Sequence, residues 1–255
     1  MSFIKTETRD HVLIITLDRP EARNAFNRAM ANEMESIVDS YEADANLRCA
    51  IVQANGPTFS AGQDLIAAAR GEMASTERRG GFGIMKQPPA KPLLAAIEGQ
   101  ALAGGMELSL CCDLIIASTA SVFGLAEAKR GLVAVGGGCF RLPRRLPHNI
   151  AMELILTAEP KPAADMYRLG FVNSLVEPGA ALTEAMRLAK LIARNGPLAV
   201  RASKEIAARS AAEQWSDQEG WEKQIDIVAP MRKSEDMQEG LRAFAEKRDA
   251  VWKGR

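Results

Sequence analysis

Histidine is almost missing from this chain, with only His11 and His148 among 255 residues. A multi-histidine metal centre is therefore excluded, and a Ser-His-Asp hydrolase would have to use one of these two residues. The strand-turn motif G-x-S-x-G of such hydrolases is also absent, as is the dinucleotide fingerprint G-x-G-x-x-G. The four cysteines, Cys49, Cys111, Cys112 and Cys139, show no CxxC spacing. They read as reduced core thiols, which predicts a cytoplasmic protein. No apolar run approaches the length of a membrane span, and Glu7 and Asp10 interrupt any apolar leader, so neither a membrane segment nor a signal or transit peptide is expected. Net charge is missing too, because 32 basic residues balance 32 acidic ones. No global field favours nucleic acid or an anionic membrane surface. There is no internal repeat and no low-complexity segment.

What is present is an ordinary globular composition, 47% hydrophobic and 25% charged, in a chain long enough to bury a full core. Strand patterns at 11–17, 49–53, 93–97 and 171–176 alternate with helical ones. Met30, Met34, Ile37, Val38 and Tyr41 share a helix face, as do Leu182, Ala185, Met186, Ala189, Ile192 and Ala193. This alternation predicts an α/β core with mostly parallel pairing over 1–196, and 197–255 reads as a helical addition. All three tryptophans, Trp215, Trp221 and Trp252, fall in that addition, which suits either an interface or folding back on the core. The stretch 67–92 is rich in Arg, Gly and Pro without sustained period, and is expected to be a mobile flap or surface excursion.

Residues 93–127 organise the chain. The apolar run Leu93 to Ile97 is followed by Gly104-Gly105 and a second apolar run, MELSLCCDLIIA, expected to be a buried helix. Amides at a helix N-terminus lack intrahelical partners, and a glycine pair there lets a ligand oxygen come close; close helix packing is the alternative reading. Glu107, one turn further in, is a costly group on so apolar a helix unless it is paired or used. Glu127 follows Phe123-Gly124 among small residues, although Lys129-Arg130 after it could mark an ordinary charged surface.

Five segments in this order and spacing resemble the enoyl-CoA hydratase/isomerase (crotonase) family over essentially the whole chain: ITLDRPEARNAFN at 15–27, FSAGQDL at 59–65, ALAGGMELSLCCDLIIA at 101–117, FGLAEAKRGL at 123–132 and AFAEKRDAVWKGR at the end. The resemblance implies a ββα spiral core with a C-terminal helical trimerisation region, assembled as a trimer or dimer of trimers. It implies that the Gln63 and Gly104 N–H groups form an oxyanion hole, with Glu107 activating water and Glu127 supplying the proton to C2. It places coenzyme A against Ala22, Arg23, Ala25, Ala61, Asp64, Leu65 and Ile66, with Phe244 and Lys247 reaching its nucleotide end across a subunit boundary. No metal and no separate cofactor is implied, since coenzyme A is part of the substrate. The expected activity is reversible hydration of a 2-enoyl-CoA to a 3-hydroxyacyl-CoA. Dehydration or isomerisation of an unusual acyl-CoA, or a non-catalytic RNA-binding role, are the alternatives. Leu125-Ala126 and Ala134-Val135 depart from the usual Gln-Pro and Pro-Gly of hydratases where the acyl group is expected, and Val135 is expected to add bulk there.

Overall fold

The computed structural model describes residues 2–255. In chain order the elements are β1 (Ile4–Arg9), β2 (Val12–Leu17), α1 (Arg28–Ala43), β3 (Cys49–Ala54), β4 (Thr58–Ser60), α2 (Leu65–Ala69), β5 (Ser75–Thr76), β6 (Gly80–Gly81), β7 (Leu93–Ile97), β8 (Gln100–Leu102) and α3 (Gly104–Ser109). They continue with β9 (Leu114–Ser118), β10 (Val122–Gly124), α4 (Gly138–Arg145), α5 (His148–Thr157), β11 (Lys161–Pro162), α6 (Ala163–Arg168), β12 (Ser174–Val176), α7 (Ala181–Ala193), α8 (Pro197–Glu213), α9 (Asp217–Arg232) and α10 (Glu235–Glu246).

A six-stranded sheet runs β1-β2-β3-β7-β9-β12, antiparallel between β1 and β2 and parallel from β2 onward. Strands β2, β3, β7 and β9 are mainly apolar at successive positions because both of their faces are covered, whereas the edge strand β1 buries only Ile4. Leu13, Ile15, Val52, Ala95 and Ile115 point into the main core, while Val12, Ile51, Leu94 and Ile116 meet Ala181, Ala185 and Ala189 of α7. Alanines at four-residue spacing keep one side of α7 flat, so the helix lies close on the sheet. A smaller sheet, β11-β10-β8-β4, pairs β10 with β8 and β8 with β4 in parallel. It carries the site.

Three expectations change. The run MELSLCCDLIIA is not one helix: α3 stops at Ser109, Cys111 and Cys112 occupy the turn, and Leu114–Ser118 is a central strand beside β7. A short apolar run fits a buried helix or a buried strand equally by period, and pairing of the β-branched Ile115 and Ile116 decides for the strand. Residues 58–60, outside the strand patterns read at 49–53 and 93–97, form a strand of their own, β4. The 67–92 stretch is no mobile excursion. After the β5–β6 hairpin, Phe82, Ile84 and Met85 are buried, and Phe82 stacks on Phe26 with ring centroids 4.1 Å apart. Its Arg79 is also buried, paired with Asp39 and donating to the Gln87 carbonyl. Composition hid these packed residues because few of them are spaced periodically.

Helices α8 to α10 contribute little apolar core, since Ala202 and Ala243 are their only buried apolar residues. Polar contacts tie the segment to the sheets instead. Arg48 donates to the Ala193 and Trp252 carbonyls, and Lys204 reaches Asp113 at 2.6 Å. The Trp252 ring lies by Gly196 and Gly240, so this tryptophan folds back on its own chain, whereas Trp221 is exposed.

Phe82→Ala is expected to lower stability by about 3 to 5 kcal/mol, as large-to-small core changes do. Chemical denaturation checks this, and a loss of only a few tenths of a kcal/mol would return the segment to the surface.

Candidate active site

Strands β4, β8 and β10 lie side by side and parallel, so the turns leaving their C-terminal ends converge. Turn residues Ala61-Gly62-Gln63 follow β4, α3 follows β8 by way of Ala103, and a single 3-10 turn, Glu127–Arg130, follows β10. The first two turns touch. A Cβ placed on Gly62 would lie 2.9 Å from the Gly104 nitrogen, one on Gly104 would lie 2.5 Å from the Phe82 ring, and one on Gly105 would lie 2.1 Å from the Ser60 carbonyl oxygen. Only hydrogen fits at these positions.

Gln63 is held by pairing with Phe26: the Phe26 N–H donates to Gly62 O and the Asp64 N–H to Phe26 O, both at 2.8 Å. Among the described residues, neither the Gln63 nor the Gly104 N–H donates to a protein acceptor. Two free amides thus sit on adjoining turns, one of them at the start of α3, an arrangement suited to an oxygen gathering negative charge.

Glu107 follows on the same face of α3, with 5% of its surface exposed. Its Oε1 accepts from the Gly138 N–H at 2.8 Å, and a Cβ on Gly136 would lie 2.7 Å from its Oε2. Burial pushes the carboxyl above its ordinary range, while the Gly138 and Gly136 amides and the Arg141 guanidinium pull the other way. Glu127 lacks such support. Its Oε2 is buried without a hydrogen-bond partner. Burial is the main cause that pushes it up to about 7, with the negative charge of Glu107 adding to it and its own backbone amide opposing. Two interacting carboxyls with unequal surroundings are suited to opposite protonation states near neutrality.

The other expected residues fall into two groups. The Ala61 N–H donates to Arg23 O at 3.0 Å, which joins the Ala22–Ala25 turn to the Gln63 turn. Arg23 is exposed with φ +53°, Ala25 is buried, and Leu65 and Ile66 are exposed on α2. Both Asp64 oxygens are already engaged, one capping α2 through Ile66 and Ala67 and the other pairing with Arg19 at 2.8 Å. Phe244 and Lys247 stand apart. Phe244 is exposed, Lys247 ends α10 in a left-handed conformation, and no hydrogen bond or ion pair among the described residues joins them to the other candidates.

The Val135 side chain is 85% exposed. Leu125 and Ala134 are the buried members of the two altered pairs, and a Cβ on Gly138 would meet both, at 3.0 and 2.8 Å. Residues not singled out from sequence complete the frame. Asn24 bonds the Asn55 and Thr58 carbonyls, Ser60 Oγ donates to the Asn24 carbonyl, and Gly136, Gly138 and Arg141 surround Glu107. Asn24 and Arg19 lay inside a segment already recognised, and the cluster Gly136-Gly137-Gly138 was visible as a turn.

The family model described as enoyl-CoA hydratase/isomerase matches residues 7–255. The chain belongs to the enoyl-CoA hydratase/isomerase family. Enoyl-CoA hydratase EchA19 of Mycobacterium tuberculosis is 37% identical over 249 residues, covering 95% of this chain and 93% of that one. A solved enoyl-CoA hydratase from M. tuberculosis H37Rv superposes with TM-score 0.96 at 48% identity, covering 100% of both chains. A carnitinyl-CoA hydratase from Mycobacterium avium superposes at 0.78 with 39% identity, again over 100% of both. This member of the enoyl-CoA hydratase/isomerase family is therefore an enzyme with the crotonase fold, in which the helices from Pro197 onward follow the sheet-bearing part.

Proposed function

We propose that this enzyme reversibly adds water to a 2-enoyl-CoA, giving the 3-hydroxyacyl-CoA. The thioester carbonyl is placed between the Gln63 and Gly104 amides. Ionised Glu107 takes a proton from water as its oxygen bonds to C3. The C2–C3 π electrons move toward the thioester, and the enolate oxygen gains charge against the two amides. One such donor typically contributes about 3 to 4 kcal/mol to the transition state. Protonated Glu127 then gives its proton to C2. The observation that carries this reading is the unequal pair, in which Glu107 is held by an amide and Glu127 has a buried, partnerless oxygen. Isomerisation needs only one active carboxylate. A pair with opposed protonation favours hydration, and the hydratase names among close relatives agree with it.

Coenzyme A, as part of the substrate, is assigned to the rim formed by Ala22, Arg23, Ala25, Ala61, Leu65 and Ile66, where Asp64 serves to shape the turn because its side chain and its backbone are both engaged within the protein. No further cofactor or metal enters the proposal. Phe244 and Lys247 would act on the nucleotide end from a neighbouring copy in a trimer or dimer of trimers. Met237, Leu241 and Phe244 support this by forming an exposed apolar stripe along α10, and sedimentation at the mass of a single chain would remove it. The balanced charge weighs against RNA as a partner.

Glu107→Gln and Glu127→Gln are each expected to cut hydration of crotonyl-CoA by about 10²- to 10⁴-fold while the fold is kept. Loss of the conjugated thioester absorbance, with mass spectrometry for added water, reads the reaction. Normal turnover by a folded double variant would refute the mechanism.

A further inference from the structure

Arg141 lies one turn into α4 from Gly138, the residue whose amide holds Glu107 Oε1. One helical turn therefore carries both the amide that holds the buried carboxylate and a guanidinium whose charge acts on it from beyond ion-pair distance. The guanidinium is fixed at both tips. Its Nη1 donates to Cys111 Sγ at 3.3 Å and its Nη2 to the Met85 carbonyl at 2.6 Å. Cys111 Sγ in turn donates to the Glu107 carbonyl oxygen at 3.4 Å, one turn back along the chain. A Cβ on Gly136 would touch both Met85 Sδ, at 2.4 Å, and Glu107 Oε2, at 2.7 Å. The 82–85 segment, α3 and the glycine turn thus meet at one cation. Glu107 feels the charge of Arg141 and acts in turn on Glu127, and Cys111 is a buried thiol that feels both Glu107 and Arg141.

We propose that Arg141 is a positioning residue of the site, clamped between Cys111 and the Met85 carbonyl so that its guanidinium ties the 82–85 segment and the glycine turn to α3 beside Glu107. This rests on the hydratase reading for its consequence, but the charge relation between Arg141 and Glu107 does not. A guanidinium stays protonated across the working pH range, so the bias it supplies is constant. Glu127 has no cation of this kind and is left as the proton donor.

The test compares Arg141→Met, which keeps the stem and removes the charge, with Arg141→Lys, which keeps the charge and loses the fork. On crotonyl-CoA, Arg141→Met is expected to move the acidic limb of kcat/KM to higher pH, a loss that is largest at acidic pH and narrows toward alkaline pH. Arg141→Lys is expected to leave that limb near its wild-type position. A uniform loss at every pH in Arg141→Met, or an equal displacement in Arg141→Lys, would overturn the proposal. The second readout needs no turnover: the Glu107 carboxylate infrared band of the ligand-free protein, assigned by difference against Glu107→Gln. It is expected to titrate at higher pH in Arg141→Met than in wild type. No displacement of the band overturns the role of Arg141, whereas a displaced band in a protein whose wild type does not hydrate crotonyl-CoA overturns the hydratase reading alone.

Discussion

Glu107, buried, and Glu127, half-buried with one oxygen enclosed, cannot both be ionised cheaply when each feels the other, and much of the structure around them follows from that constraint. Glu107 receives the Gly138 amide at 2.8 Å and faces Arg141, while Glu127 receives neither and rises to about 7. The asymmetry also has a stability consequence. Because the folded value of Glu127 lies above the ordinary 4.5, the folded protein binds its proton more readily than the unfolded chain does. Stability from this linkage is fully present below the ordinary value and is lost as pH rises through about 7.

The constraint can be met only if chain segments far apart in sequence approach within van der Waals distance. Parallel pairing of β4, β8 and β10 brings three strand ends together, with candidate residues leaving each end. Gln63 leaves β4, Gly104 and Glu107 leave β8, and Glu127 leaves β10. The glycines at 62, 104, 105, 136 and 138 then remove the side chains that would hold these turns apart. A second protein layer, with Phe82 stacked on Phe26 and Met85 under Gly136, keeps the apolar surroundings that set the carboxyl pair apart.

Much of this was legible in the sequence, because the site residues are concentrated in short turns between strong strand signals. Gly104, Glu107, Gln63 and Glu127 could be named from their motifs, and the alternation of strands and helices carried the α/β class. What sequence did not reveal depended on contacts between distant segments. Strand β9 looked like the continuation of α3 until its pairing with β7 decided otherwise. Phe82, Ile84 and Met85 were hidden in a stretch whose glycines and arginines suggested exposure. Arg141 carried no motif of its own, and its importance is visible only from what lies at the two tips of its guanidinium.

The central claim is that Glu107 and Glu127 sit in one site with opposite protonation near neutrality. A carbon-13 NMR titration of the ligand-free protein, labelled at the glutamate side-chain carboxyls and assigned with the two Glu→Gln variants, tests it most directly. The account predicts that Glu127 titrates near 7 and that Glu107 loses its proton at lower pH. Two carboxyls titrating together in the ordinary range, each unaffected by removal of the other, would contradict it.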